Sequence, residues 1–222
     1  MLDRPVPRAE RLELRALRLW REPSSRSSYP TMSEEHGGQG LAERSPVERR
    51  LYESRTVLVF GEITMGLAER VSAQLLALAS ENHRPIRVLI NSPGGHVESG
   101  DTIYDVLRFI EPEVTIVGTG WVASAGALIY TAAPRERRLS LPNTRFMLHQ
   151  PSGGAGGPAS DIEIEALQIL SVRTRLNRIF ADATGQPIEK IARDTERNHW
   201  LNAQEAVSYG LVGRVIETAD QA

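Results

Sequence analysis

In the stretch GWVASAGALIYTAA (residues 120–133) a single hydroxyl, Ser124, stands where small residues give way to an apolar helical run. A serine at that place can do either of two things. It can cap the helix, its oxygen accepting a backbone N–H of the first turn, or it can serve as a nucleophile at the positive end of the helix dipole. A second feature is NSPGGHVESG (residues 91–100), a glycine-rich turn between an apolar run and a helical pattern. Such turns aim backbone N–H groups at an anion, either a phosphate or the charge that develops on a carbonyl oxygen. The phosphate reading lacks its usual companions, since neither GKS, GKT nor a fitting GxGxxG is present. The third feature is His149 in FMLHQP, which ends a short apolar run before a proline. Alone, a histidine there is more often structural than catalytic. With Ser124 and the glycine turn it makes a third polar group at an element end, where sites in α/β folds assemble.

Several chemistries are excluded. There is no cysteine, hence no disulfide, thiolate metal site or cysteine nucleophile. The histidines show neither HExxH nor paired-ligand spacing, so no metal is expected. VASAG is not GxSxG, which removes the α/β-hydrolase elbow as a template. A base other than histidine would have to be Lys190, the only lysine among 26 basic residues, in a segment that reads as a solvated helix face. A formal net charge of −2 provides no electrostatic footprint for nucleic acid, and no apolar run reaches membrane-spanning length.

TVLVF (56–60), IRVLI (86–90) and VTIVG (114–118) are continuous apolar runs, as expected of strands buried on both faces. Helical patterns lie between them, in MGLAERVSAQLLALASEN and around GDTIYDVLRFI. The alternation predicts an α/β fold. RRLSL and RFMLH read as short strands joined by a turn at LPNT, and NAQEAVSYGLVGRVIE as a helix, a glycine stop and a last strand. From Asp161 a long helix runs towards Ala183, with Ile162, Ile164, Leu167, Leu170, Val172, Leu176 and Ile179 spread over more than one stripe. A helix apolar on several sides needs several partners, and a second subunit is the expected one. Residues 1–45 read as a disordered extension, arginine-rich but too acidic for a transit peptide and without the apolar core of a secretory signal. Met32 is an alternative start within it.

NSPGG, GWVASAGAL, LPNTRFMLHQP, DIEIEALQIL and DTERNHWLNAQEAVSYGLV, in that order, resemble the proteolytic subunits of the Clp protease, ClpP, over about residues 50–217. The resemblance implies an α/β ClpP/crotonase fold of stacked ββα-like units: a head over about 50–150 and 187–217, and a projecting strand–helix handle over about 151–186. It implies a cytoplasmic serine endopeptidase, self-associated into two stacked heptameric rings. Unfolded polypeptides would be delivered by an AAA+ Clp unfoldase that uses ATP, with no cofactor bound by this chain. Carried across, Ser124 is the nucleophile, His149 the general base, and the N–H groups of Gly95 and Ala125 the oxyanion hole. Gly153, Gly154, Ala155 and Gly156 belong to the handle strand that pairs with substrate, and Glu196 and Arg197 to the ring–ring interface. The triad acid falls on Asn198, where the family usually has aspartate; Asp194 lies one helical turn away. The segment ERSPVERRLYESR departs from the family's N-terminal pore segment. The alternatives are a weakly active or structural subunit in a mixed ring with a ClpP paralogue and, further off, a crotonase-type acyl-CoA enzyme.

Overall fold

The structure, a computed structural model, describes residues 45–154 and 156–222; the extension expected over 1–45 lies, Ser45 apart, outside them. Helix α1 (Pro46–Glu53) starts from a capping box in which Ser45 Oγ accepts from the Glu48 N–H and the Glu48 carboxylate accepts from the Ser45 N–H. Strand β1 (Thr56–Phe60) leads to α2 (Met65–Glu81), capped by Thr64, and then to β2 (Ile86–Ser92). Leu67, Ala68, Val71, Leu75 and Leu78 form the buried stripe of α2, the three-and-four spacing of an amphipathic helix. Next come α3 (Val97–Phe109), β3 (Val114–Ala123) and the short α4 (Ala125–Tyr130). β4 (Arg138–Ser140) and β5 (Arg145–Leu148) precede α5 (Ala159–Thr184), which ends at Gly185 in the left-handed region. α6 (Ile188–Asp194), β6 (His199–Asn202), α7 (Ala203–Tyr209) and β7 (Arg214–Val215) complete the chain.

The strands form one sheet in the order β1-β2-β3-β4-β7, all parallel. At its carboxyl end β3 switches partner: Ile116 to Gly118 pair with β4, whereas Trp121 to Ala123 pair with β5. β5 in turn pairs antiparallel with β6. This switch brings the ends of β3, β5 and β6 together.

The expectation of strands buried on both faces is corrected. In β2 fully buried Ile86, Val88 and Ile90 alternate with half-buried neighbours, and in β1 Leu58 and Phe60 are exposed. The main core lies on the side of the sheet that carries α2 and α3, whereas on the other side the described residues form a small cluster of Val117, Leu139 and Ile216, with Leu89 and Leu141 against it. The later helices add to the main core as well, α4 through Leu128, α5 through Leu176 and Phe180, α6 through Ile191 and α7 through Ala206. The long helix is as expected, and its first half is bare: Ile162, Ile164, Leu167 and Leu170 are exposed, while burial begins around Leu176. The glycine segment expected to be a strand pairs with no strand of this chain over its described residues.

Candidate active site

Ser124 follows β3 directly and His149 follows β5 directly. These strands are parallel neighbours with Ala123 beside Met147, and the Ser124 N–H continues the ladder by donating to the Met147 carbonyl at 2.9 Å. Both residues therefore leave the sheet at the carboxyl ends of their strands, side by side. His149 Nε2 lies 2.7 Å from Ser124 Oγ.

The backbone at Ser124 has φ 55° and ψ −121°, one of only two positive-φ non-glycine residues among those described. Such a conformation costs about 1–3 kcal/mol and persists only where the surroundings impose it. Its side chain makes no capping hydrogen bond to α4. Of the two readings of this serine, capping is thus removed, since the hydroxyl has left the helix for the imidazole. A sharp, strained strand-to-helix turn of this kind is what GxSxG builds in other hydrolases. Here small Ala123 and Ala125 flank the serine, and Gly94 supplies the room: a β-carbon on Gly94 would come within 2.5 Å of Ser124 Cβ.

Gly94 and Gly95 belong to the turn between β2 and α3. The Ile63 N–H donates to the Gly94 carbonyl and the His96 N–H to the Ile63 carbonyl, each at 2.8 Å. In a parallel bridge this pattern turns the N–H of the middle residue away from the partner strand. The Gly95 N–H accordingly has no acceptor among the described residues, nor has that of Ala125, one of the first N–H groups of α4. Two unspent donors near one hydroxyl are what an oxyanion hole requires.

Burial holds the His149 imidazole below its ordinary pKa of 6.5. The ring is therefore neutral at pH 7, with Nε2 able to accept the serine proton.

Asn198 immediately precedes β6, and the β5–β6 ladder pairs Leu148 with His199. One further step of that ladder sets Asn198 opposite His149. Yet Asn198 is exposed, and no side-chain hydrogen bond joins it to the imidazole. The approach is held from beside it, by Gln150 donating to the carbonyls of Thr195 and Glu196. Glu196 and Arg197 are exposed in the same turn. Asp194 is engaged elsewhere, accepting from Lys190 Nζ and from the Tyr209 hydroxyl at 2.7 Å. Although burial works against it, these hydrogen bonds hold the Asp194 carboxyl below its ordinary range. That pairing also ties up Lys190, which lies over the Tyr209 ring, so nothing favours it as a base.

Gly153, Gly154 and Gly156 are exposed, four to seven residues beyond the histidine; Ala155 lies outside the described residues. Sequence reasoning missed Gly94 as the residue that accommodates the strained serine, although NSPGG contains it. It also missed the cavity beside Gly95, lined by Glu98 from α3 and Glu165 from α5. No signal in the sequence joins two acids so far apart.

A serine and a neutral histidine at adjacent strand ends, with spare amides beside them, form a serine-hydrolase type of site on a parallel α/β sheet. The chain belongs to the Clp protease family: the family model described as Clp protease matches residues 40–219. Among its relatives is ATP-dependent Clp protease proteolytic subunit 3 of Rhizobium etli, 61% identical over 76% of this chain and 87% of that protein. Proteolytic subunit 2 of Pseudomonas aeruginosa is 60% identical over 73% of this chain and 81% of its own length. Among solved structures, ClpP1 from Listeria monocytogenes matches with a TM-score of 0.71 and 53% identity, over 79% of this chain and 98% of that one. An asparagine-to-aspartate mutant of the same protein matches at a TM-score of 0.74 with 54% identity, over 78% and 98%.

Proposed function

We propose that this chain is a serine endopeptidase subunit that cleaves unfolded polypeptides inside an assembly of its own copies. The observation that carries the chemistry is the 2.7 Å contact between Ser124 Oγ and His149 Nε2, made by a serine that does not cap its helix. Ser124 Oγ attacks the scissile carbonyl carbon while His149 Nε2 takes the hydroxyl proton. The carbonyl oxygen becomes an oxyanion and accepts from the Gly95 and Ala125 N–H groups. Collapse of the adduct breaks the C–N bond, and the imidazolium gives its proton to the leaving amine. A water then repeats the sequence on the acyl-serine, with His149 again as base, and frees the acid product and Ser124. Gly153, Gly154 and Gly156, which pair with no strand among the described residues, offer backbone groups to an extended substrate.

Stacked heptameric rings are what the family resemblance implies for this chain, and the apolar surface that a single chain leaves open, on the bare half of α5 and the outer face of β1, supports self-association. Relatives whose names include ATP-dependent support delivery by an AAA+ partner that consumes the nucleotide, with no cofactor on this chain. No helix among the described residues is long and apolar enough to cross a membrane, and the proposed place of work is the cytoplasm.

The lack of a hydrogen bond between Asn198 and His149 favours a second reading, a slow subunit that acts in a mixed ring with an active paralogue. The two are separated by purifying the full chain alone, sizing it by light scattering and assaying a short fluorogenic peptide. Hydrolysis by the homo-oligomer that disappears in Ser124→Ala supports the first. An assembled chain without Ser124-dependent hydrolysis, rescued by co-assembly with a ClpP paralogue, supports the second.

A further inference from the structure

A cavity of about 290 Å³ lies beside the candidate catalytic pair, between the Gly95 turn, the segment from Pro151 to Gly154 and one side of α5. It shares Gly95 with the proposed oxyanion hole, and its far wall begins two residues after His149. Its half-buried lining is aliphatic, from Val97, Ile169 and Val172. Glu98 and Glu165, both exposed, bring carboxylates to it, and no lysine or arginine among the described residues lines it. Arg175, close enough to be influenced by Glu98, is committed to Asp101 through two hydrogen bonds of 2.7 and 2.6 Å. The His96 ring lies 3.3 Å from the Glu98 carboxylate and also contacts Ser99 Oγ, so it offsets charge only when protonated. Glu165 has no ion-pair partner among the described residues.

We infer that this cavity receives the substrate side chain next to the scissile bond and selects lysine or arginine there. An aliphatic wall with carboxylates beside it complements a side chain that buries a methylene stem and keeps a cationic head in water. A leucine would fill the same wall without using either carboxylate, and an acidic side chain would meet like charge. The inference rests on Ser124 being the nucleophile.

The test uses three peptidyl phosphonates that differ only in the side chain at that position: lysine, norleucine and glutamate. The full-length chain is treated at neutral pH and low salt, and the rate of adduct formation on Ser124 is followed by mass spectrometry. Norleucine matches the lysine stem without its charge. The lysine probe is expected to react faster than norleucine by roughly five- to tenfold, the size expected of two exposed carboxylates, with the ratio shrinking in high salt. In Glu98→Lys/Glu165→Lys the order should invert, with the glutamate probe overtaking the lysine probe. Norleucine reacting as fast as lysine in the wild type, or an order that survives the charge reversal, would overturn the inference while leaving the nucleophile in place. Absence of a Ser124 adduct with every probe would overturn the nucleophile assignment and the inference together.

Discussion

Gly94 and Ser124 are in such close contact that a β-carbon on the glycine would stand 2.5 Å from Ser124 Cβ and 2.9 Å from the Ala123 carbonyl. With φ at 99°, the glycine is also in a region that L side chains rarely adopt. Gly94→Ala should therefore displace Ser124 while leaving the distant sheet intact. The expected result is at least a roughly tenfold loss of Ser124 reactivity towards a fluorophosphonate, with little change in far-UV circular dichroism. Full reactivity in the alanine variant would show that the close contact does not set the serine's geometry.

The strain at Ser124 has a thermodynamic signature. Ser124→Ala keeps a β-carbon at φ 55°, whereas Ser124→Gly removes it. The glycine variant should be the more stable of the two by about 1 kcal/mol, against the usual order for a buried turn. Denaturant unfolding at matched oligomeric state measures the difference. An alanine variant that is equal or more stable would remove strain from the account.

His149 sets the acid limb of activity. Its pKa is lowered from 6.5 by burial, so the neutral base persists below that pH and is lost only as pH falls through the lowered value. The limb of kcat/KM, or of the labelling rate, should have its midpoint under 6.5. Stability carries the same sign: the unfolded chain takes up this proton first, so the contribution falls as pH drops from 6.5 through the folded value. A limb centred above 6.5 would mean that a negative charge faces the imidazole.

Such a charge is what Asn198→Asp would introduce. The β5–β6 register sets residue 198 opposite His149, and a carboxylate there can hold the Nδ1–H and stabilise the imidazolium formed during attack. In trypsin-type enzymes an amide in place of the acid lowers turnover by about 10⁴, or roughly 5 kcal/mol. The expected gain in peptide hydrolysis is tenfold or more as an order of magnitude, with the acid limb moving to higher pH. Comparison at matched oligomeric state decides it. An unchanged rate in a well-assembled mutant would show that another group orients His149, or that assembly limits turnover.

The alternation of TVLVF, MGLAERVSAQLL, IRVLI and VTIVG made the parallel α/β core legible, because buried strands and amphipathic helices have different periods. Which faces remain open was not legible. An apolar Leu58 or Phe60 reads the same whether its own chain or a second copy covers it. Helix α1 was hidden for another reason: its Ser45-Pro46-Val47-Glu48 start carries a full capping signal, but inside a polar run that reads as loop. The short β6 was obscured by its polar ends, His199 and Asn202. At the site, Ser124 and His149 stood out by type and by their places at element ends, whereas the strained turn did not. It depends on Gly94, thirty residues upstream, and on the partner switch along β3, neither of which has a local pattern.

Activation of Ser124 by His149 is tested by peptide mapping of the chain after reaction with a fluorophosphonate. One adduct is expected, on Ser124, absent in Ser124→Ala and formed far more slowly in His149→Ala although the assembly persists. An adduct on another serine, or undiminished labelling of Ser124 without His149, would contradict it.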